Sequence, residues 1–141
     1  MTRLTNVDPD RSRQMGLVRS KNSKPELAVR KLVHALGFRF RLHRRDLAGT
    51  PDLTFPGRRK VIFVHGCFWH RHSDPSCKLA RLPRSRLDFW QPKLNANAER
   101  DRVNVGKLEA DGWKVLVVWE CEVSRRGQAE LAERLRTFLS T

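Results

Sequence analysis

Apolar residues recur at Leu27, Val29, Leu32, Val33 and Leu36, near the spacing that turns one face of an α-helix toward a core. Pro25 opens this stretch and Gly37 closes it, as helix boundaries favour. The string Phe38-Arg39-Phe40-Arg41-Leu42 alternates apolar with basic, the period of a strand with one buried face. Residues 52–55 and 60–64 read as two further strands around a Pro56-Gly57 turn, which predicts a hairpin. A helical segment follows over residues 85–110, expected to break or bend near Pro92, and Trp113-Lys114-Val115-Leu116-Val117-Val118-Trp119 is the most apolar strand. Residues 129–139 close the pattern as an amphipathic helix. Strands interspersed with helices predict an α/β protein with a mixed sheet covered on both faces. Neither an internal repeat nor a domain linker interrupts residues 1–141, so a single domain is expected.

Between residues 66 and 86 the chain turns polar, basic and rich in Cys, His, Ser and Pro, and cannot build an apolar core of its own. Cys67, His72 and Cys77 stand there as C-x4-H-x4-C, and Cys121 follows the apolar strand. Three thiolates and one imidazole suit zinc, which takes four such ligands when its role is structural and can staple a loop to a sheet. His70 rivals His72 for the imidazole position, and buried cysteines acting as small hydrophobes are the plainer alternative. With three cysteines in the chain, no closed disulfide framework can use them all.

Charge narrows the partners. Lys and Arg total 29 against 15 acidic residues, a formal charge of +14. Such an excess, in runs flanking aromatic residues, points to a polyanion, with nucleic acid ahead of a membrane surface because the helices look core-facing. A merely basic protein without a specific ligand is the bland alternative. At 141 residues the chain can bury about two-thirds of its unfolded surface. No apolar run approaches the ~20 residues of a membrane span, and residues 1–13 are too polar for a signal peptide. No membrane association and a cytoplasmic location are expected.

Gly49-Thr50-Pro51-Asp52 precedes a strand, and the next strand ends Phe63-Val64-His65. An aspartate at a strand start after proline resembles the first half of the PD-(D/E)-x-K arrangement of restriction endonucleases. Phosphodiester hydrolysis needs a hard divalent cation on the phosphate, and carboxylate or carbonyl oxygens suit magnesium. Asp52 is the natural anchor. The second half of that arrangement is missing, so another base must activate water: His70, with His65 close by, can do so near neutral pH, and Asp101 can orient an imidazole through its second nitrogen.

The string Val61-Ile62-Phe63-Val64-His65-Gly66-Cys67-Phe68-Trp69-His70 resembles the signature of the very short patch repair (Vsr) DNA mismatch endonucleases. Further similarities follow in the same order: Asp10-Arg11-Ser12-Arg13-Gln14-Met15, the stretch 49–52, Phe89-Trp90, Glu99-Arg100-Asp101-Arg102 and residues 112–121. The resemblance implies a restriction-endonuclease-like fold, and a magnesium-dependent nick 5′ to the T of a T:G mismatch in double-stranded DNA, initiating repair. It also implies that Asp52 and the Val64 backbone carbonyl hold magnesium, that His70 activates water, and that His65, Glu26 and Asp101 support the site. Cys67, His72, Cys77 and Cys121 would bind zinc, Phe68 and Trp69 would enter the base stack, and Met15 would enter the opposite groove from a basic arm over residues 1–22. Two positions depart from the family pattern: the stretch between His72 and Cys77, with Asp74 and Pro75, is longer, and Val64 stands for an expected threonine. Two rivals remain, a mismatch-independent, sequence-specific nuclease of the same fold and a zinc-containing DNA-binding module without activity. Flanking bases, oligomeric state, repair-protein partners and a repair or defence role are left open.

Overall fold

The computed structural model describes residues 23–70, 72, 77–80, 86–124 and 127–141. The predicted basic arm over residues 1–22, Met15 included, lies outside the described residues, as do Asp74 and Pro75.

Helix α1 (Lys24–Ala35) starts where its sequence allows: the Ser23 hydroxyl accepts from the Glu26 N–H at 3.4 Å, and Pro25 occupies the first turn, where no N–H is needed. Gly37 leaves the helix at a φ of +93°. Val29 and Val33 are buried, but Leu27 is 43% exposed and Glu26 is buried in its place. The apolar stripe is therefore narrower than the spacing suggested, and its first turn carries a carboxylate inward.

The predicted strand over residues 38–42 shrinks to β1 (Arg41–Leu42), because its neighbour β2 (Leu53–Phe55) offers only three residues to pair with. Phe38 and Phe40 still pack against the core as irregular chain. The hairpin is present: β2 pairs antiparallel with β3 (Lys60–His65) across a short turn at Pro56–Arg58. Strand β4 (Lys114–Trp119) lies parallel to β3, in register from Lys60 opposite Lys114 to His65 opposite Trp119. The sheet order is β1-β2-β3-β4. A parallel pair needs a long crossover, and the connection contains α2 (Leu87–Ala110), while α3 (Gln128–Ser140) follows β4. Pro92 does not break α2: it sits in the second turn, and the helix runs on through it for 24 residues.

Alternation along the strands sends side chains to both faces. Leu53, Phe55, Ile62 and Val118 meet Val29 and Val33 of α1 and Leu131, Leu135 and Leu139 of α3. Val61 and Phe63 meet Trp113 and Leu108 of α2 on the other face. The chain is thus an α/β protein with a mixed sheet covered on both sides. Lys60, buried at the start of β3, donates to the Phe138 and Thr141 carbonyls at 2.5 and 2.6 Å, a cation on the C-terminal carbonyls of α3.

Candidate active site and metal centre

The parallel strands β3 and β4 end together at His65 and Trp119, and the segments leaving them carry most of the chemistry. The turn after β3 folds back at once, the His70 N–H reaching the Gly66 carbonyl at 3.1 Å. His70 is thereby stacked on His65, with ring centroids 3.9 Å apart and planes at 5°. Its Nδ1 meets Oδ2 of Asp101, on α2, at 2.5 Å. With Nδ1–H donating to a carboxylate, Nε2 carries the lone pair, the tautomer a general base requires. His65 is buried, and burial, helped by the neighbouring His70, pushes its pKa down to about 4, so it is neutral at pH 7. A cavity of about 470 Å³ opens beside the pair, walled by Val105, Val117 and Trp119 and rimmed by Arg102.

A second set lies across the sheet. Asp52 Oδ2 accepts the Val64 N–H at 2.7 Å, tying the carboxylate to β3 one residue before His65. Burial, opposed by that N–H and reinforced by the charge of Glu26, pushes Asp52 up to about 7. Glu26 reaches in from α1, paired through Oε2 with Arg30 and, at 2.7 Å, with His43 Nε2. Ligand atoms of Glu26, His43 and Asp52 all lie within 4.8 Å of one another. Two carboxylates enclosed together, with Asp52 raised chiefly by burial, are a donor set that a hard divalent cation suits. Two consecutive left-handed residues, Gly49 at φ +76° and Thr50 at +49°, lead into Pro51-Asp52. A Cβ at Gly49 would sit 3.1 Å from both the Phe63 ring and Asn104, so glycine is required there.

Cys67, His72, Cys77 and Cys121 form the third set, their ligand atoms also within 4.8 Å of one another. The structure separates the two histidines that spacing left open: His72 joins the cysteines, with Nδ1 3.5 Å from Cys121 Sγ, and His70 goes to Asp101. Burial pushes the Cys67 and Cys121 thiols well above their ordinary values. A divalent ion would reverse that by holding thiolates, and three sulfurs with one nitrogen at this mutual distance fit a tetrahedral zinc. Trp119 links this set to the histidine pair: its ring stacks on His72 at 4.2 Å and presents an edge to His65 at 5.2 Å.

Phe68 and Trp69 are both half-buried, resting on Trp90 of α2 at centroid distances of 5.6 and 6.1 Å. Trp90 is itself buried, and Asn97 Nδ2 donates to the Trp69 carbonyl at 3.1 Å. Sequence reasoning singled out neither His43 nor Trp119 as site residues. His43 sat inside the basic string Leu42-His43-Arg44-Arg45, which carries no motif.

A family model described as DNA mismatch endonuclease Vsr matches residues 6–77. The Type II nicking enzyme V.XorIIP of Xanthomonas oryzae pv. oryzae is 55% identical over 134 residues, covering 94% of this chain and 95% of that protein. The Type II nicking enzyme V.NmeAIP of Neisseria meningitidis is 43% identical over 129 residues, 92% of this chain and 89% of its own length. The DNA mismatch endonuclease Vsr of Escherichia coli is 38% identical over 127 residues, 90% of this chain and 78% of that relative.

Proposed function

Since this chain belongs to the Vsr family of DNA mismatch endonucleases, and is thereby a DNA endonuclease, we propose that it nicks one strand of duplex DNA 5′ to the T of a T:G mismatch, with magnesium. The observation that carries the catalytic part is the His70 imidazole, fixed through Nδ1 by Asp101, in a fold that also encloses the carboxylates Asp52 and Glu26. In this reading His70 Nε2 takes the proton of a water whose oxygen attacks phosphorus, Asp101 stabilises the imidazolium that forms, the P–O bond to the leaving oxygen breaks, and that oxygen takes a proton from solvent water while the imidazolium returns its own proton to solvent. Asp52 and the Val64 backbone carbonyl would hold the cation, with Glu26 supporting the site, and the ion would supply positive charge against the phosphate. Neutral His65 packs behind His70 and keeps its ring plane.

Cys67, His72, Cys77 and Cys121 hold a structural zinc in the same reading. Phe68 and Trp69 enter the base stack beside the mismatch, supported by Trp90, while Met15 approaches from the other groove. The charge of +14 holds phosphates without reading sequence. No helix among the described residues is long and apolar enough to cross a membrane.

Two relatives are named Type II nicking enzymes, which favours a second reading in which flanking sequence dominates over the mismatch. End-labelled duplexes carrying each mismatch, or none, in varied flanking contexts decide between them. Nicking of T:G duplexes alone supports the first reading, and equal nicking of fully paired DNA at a fixed sequence establishes the second.

A further inference from the structure

His43 does not belong to any motif, yet it sits where the two carboxylate-bearing elements meet. Its N–H bonds the Asp52 carbonyl at 3.2 Å, so the two residues face each other at the end of the β1–β2 pairing. Its backbone takes a φ of +50°, a left-handed conformation that is uncommon outside glycine. The side chain crosses to α1, and Nε2 meets Glu26 Oε2 at 2.7 Å.

Arg30 also pairs with Oε2 of Glu26, but it lies four residues further along the same helix and moves with it. His43 is different: it joins the Glu26 carboxylate to the strand pair that carries Asp52. A cation held on Asp52 with Glu26 beside it needs both carboxylate planes fixed before it arrives, since each side chain ordered on binding costs affinity. We propose that His43 is a positioning residue of the cation site: it donates Nε2–H to Oε2 of Glu26 and so fixes the Glu26 carboxylate relative to Asp52. It sets the affinity for the divalent ion and does not touch the scissile phosphate. This rests on the reading in which Asp52 holds the cation and Glu26 supports the site.

The test is manganese binding to the full, zinc-loaded chain without DNA, followed by calorimetry or by the electron spin signal of the free ion. His43→Ala should weaken Mn2+ binding about tenfold or more, the range found when a hydrogen-bond partner of a metal site is lost, with the thermal midpoint of the metal-free protein little changed. His43→Gln, whose amide can still donate to the carboxylate, should recover most of that loss. In nicking assays His43→Ala should raise the Mg2+ concentration for half-maximal rate about as much, while kcat at saturating Mg2+ stays near wild type. Wild-type Mn2+ binding by His43→Ala, or a His43→Gln no better than His43→Ala, would overturn the proposal. Asp52→Asn separates the two failures. If it binds Mn2+ as the wild type does, the cation is held elsewhere and the underlying reading falls; if it loses Mn2+ while His43→Ala keeps it, only the role of His43 falls.

Discussion

Burial drives Asp52 and His65 in opposite directions, and the signs decide how stability follows pH. His65, depressed from 6.5 to about 4, must stay neutral in the fold, so its share of stability is complete above pH 6.5 and is lost as pH falls toward 4. Asp52, raised from 3.8 to about 7, favours its protonated form, so its share is complete below 3.8 and is lost as pH rises toward 7. Between pH 4 and 6.5 the slopes oppose, each up to about 1.4 kcal/mol per pH unit. In magnesium-free buffer, unfolding midpoints of the wild type should therefore change little from this pair, whereas Asp52→Asn should grow more stable as pH rises. A variant as flat as the wild type would contradict the burial of His65. Asp52 and His70 separate chemistry from binding. Asp52→Ala should abolish nicking, and His70→Ala should slow it by about 10²- to 10⁴-fold, the usual worth of a general base, with duplex affinity retained in a gel-shift titration. Nicking by Asp52→Ala within tenfold of wild type would place the cation elsewhere.

At the level of elements, the periodic segments were legible and their limits were not. Helices α1 and α3, the hairpin and β4 follow from local spacing, because each buries a face that its own sequence marks. β1 is cut to two residues by the shortness of its partner, and α2 passes through Pro92, both outcomes of packing rather than of local preference. The site was legible as a list of residues and less so as an arrangement. His70 and His72 lie two apart, and only the turn from Gly66, with Asp101 arriving from α2, sorts one to the carboxylate and the other to the cysteines. His43 had no signal, because its place depends on a left-handed residue after a short strand. The Trp119 ring between His72 and His65 adds a consequence for the cysteine set. Structural zinc contributes about 10 to 16 kcal/mol in small domains, comparable with a whole fold's stability. Cys121→Ala should lower zinc content by elemental analysis and the thermal midpoint together. Trp119→Leu should keep zinc yet lower kcat, because the edge that supports His65 is gone. A zinc-free wild type, or Cys121→Ala folding and nicking normally, would remove the metal from the account.

Over the whole molecule, recognition in the proposed reading is divided between a charge of +14 and an aromatic cluster. Phosphate contacts supply affinity for any duplex and weaken steeply with salt, without distinguishing a mismatch. In the mismatch reading, discrimination comes from opening a base step, which costs a few kcal/mol and least where pairing is already imperfect. Phe68 and Trp69 can replace lost base stacking by aromatic stacking worth about 1 to 3 kcal/mol per base. They rest edge-on against the buried Trp90, with the Trp69 carbonyl held by Asn97, so their geometry is fixed before DNA arrives and little ordering remains to be done. Because the same turn carries His70, a ring that enters the stack also sets where the base stands relative to the phosphate. Trp69→Ala should consequently slow nicking of T:G duplexes by about tenfold or more, the kinetic equivalent of 1 to 3 kcal/mol of stacking. Binding to fully paired duplex, and its dependence on salt, should change little, since the arginines and lysines that hold phosphate are untouched. Fluorescence-anisotropy titrations at several salt concentrations, run beside single-turnover nicking, read both quantities. Equal losses on matched and mismatched DNA would recast Trp69 as a support for the turn that carries His70, and would favour nicking governed by flanking sequence.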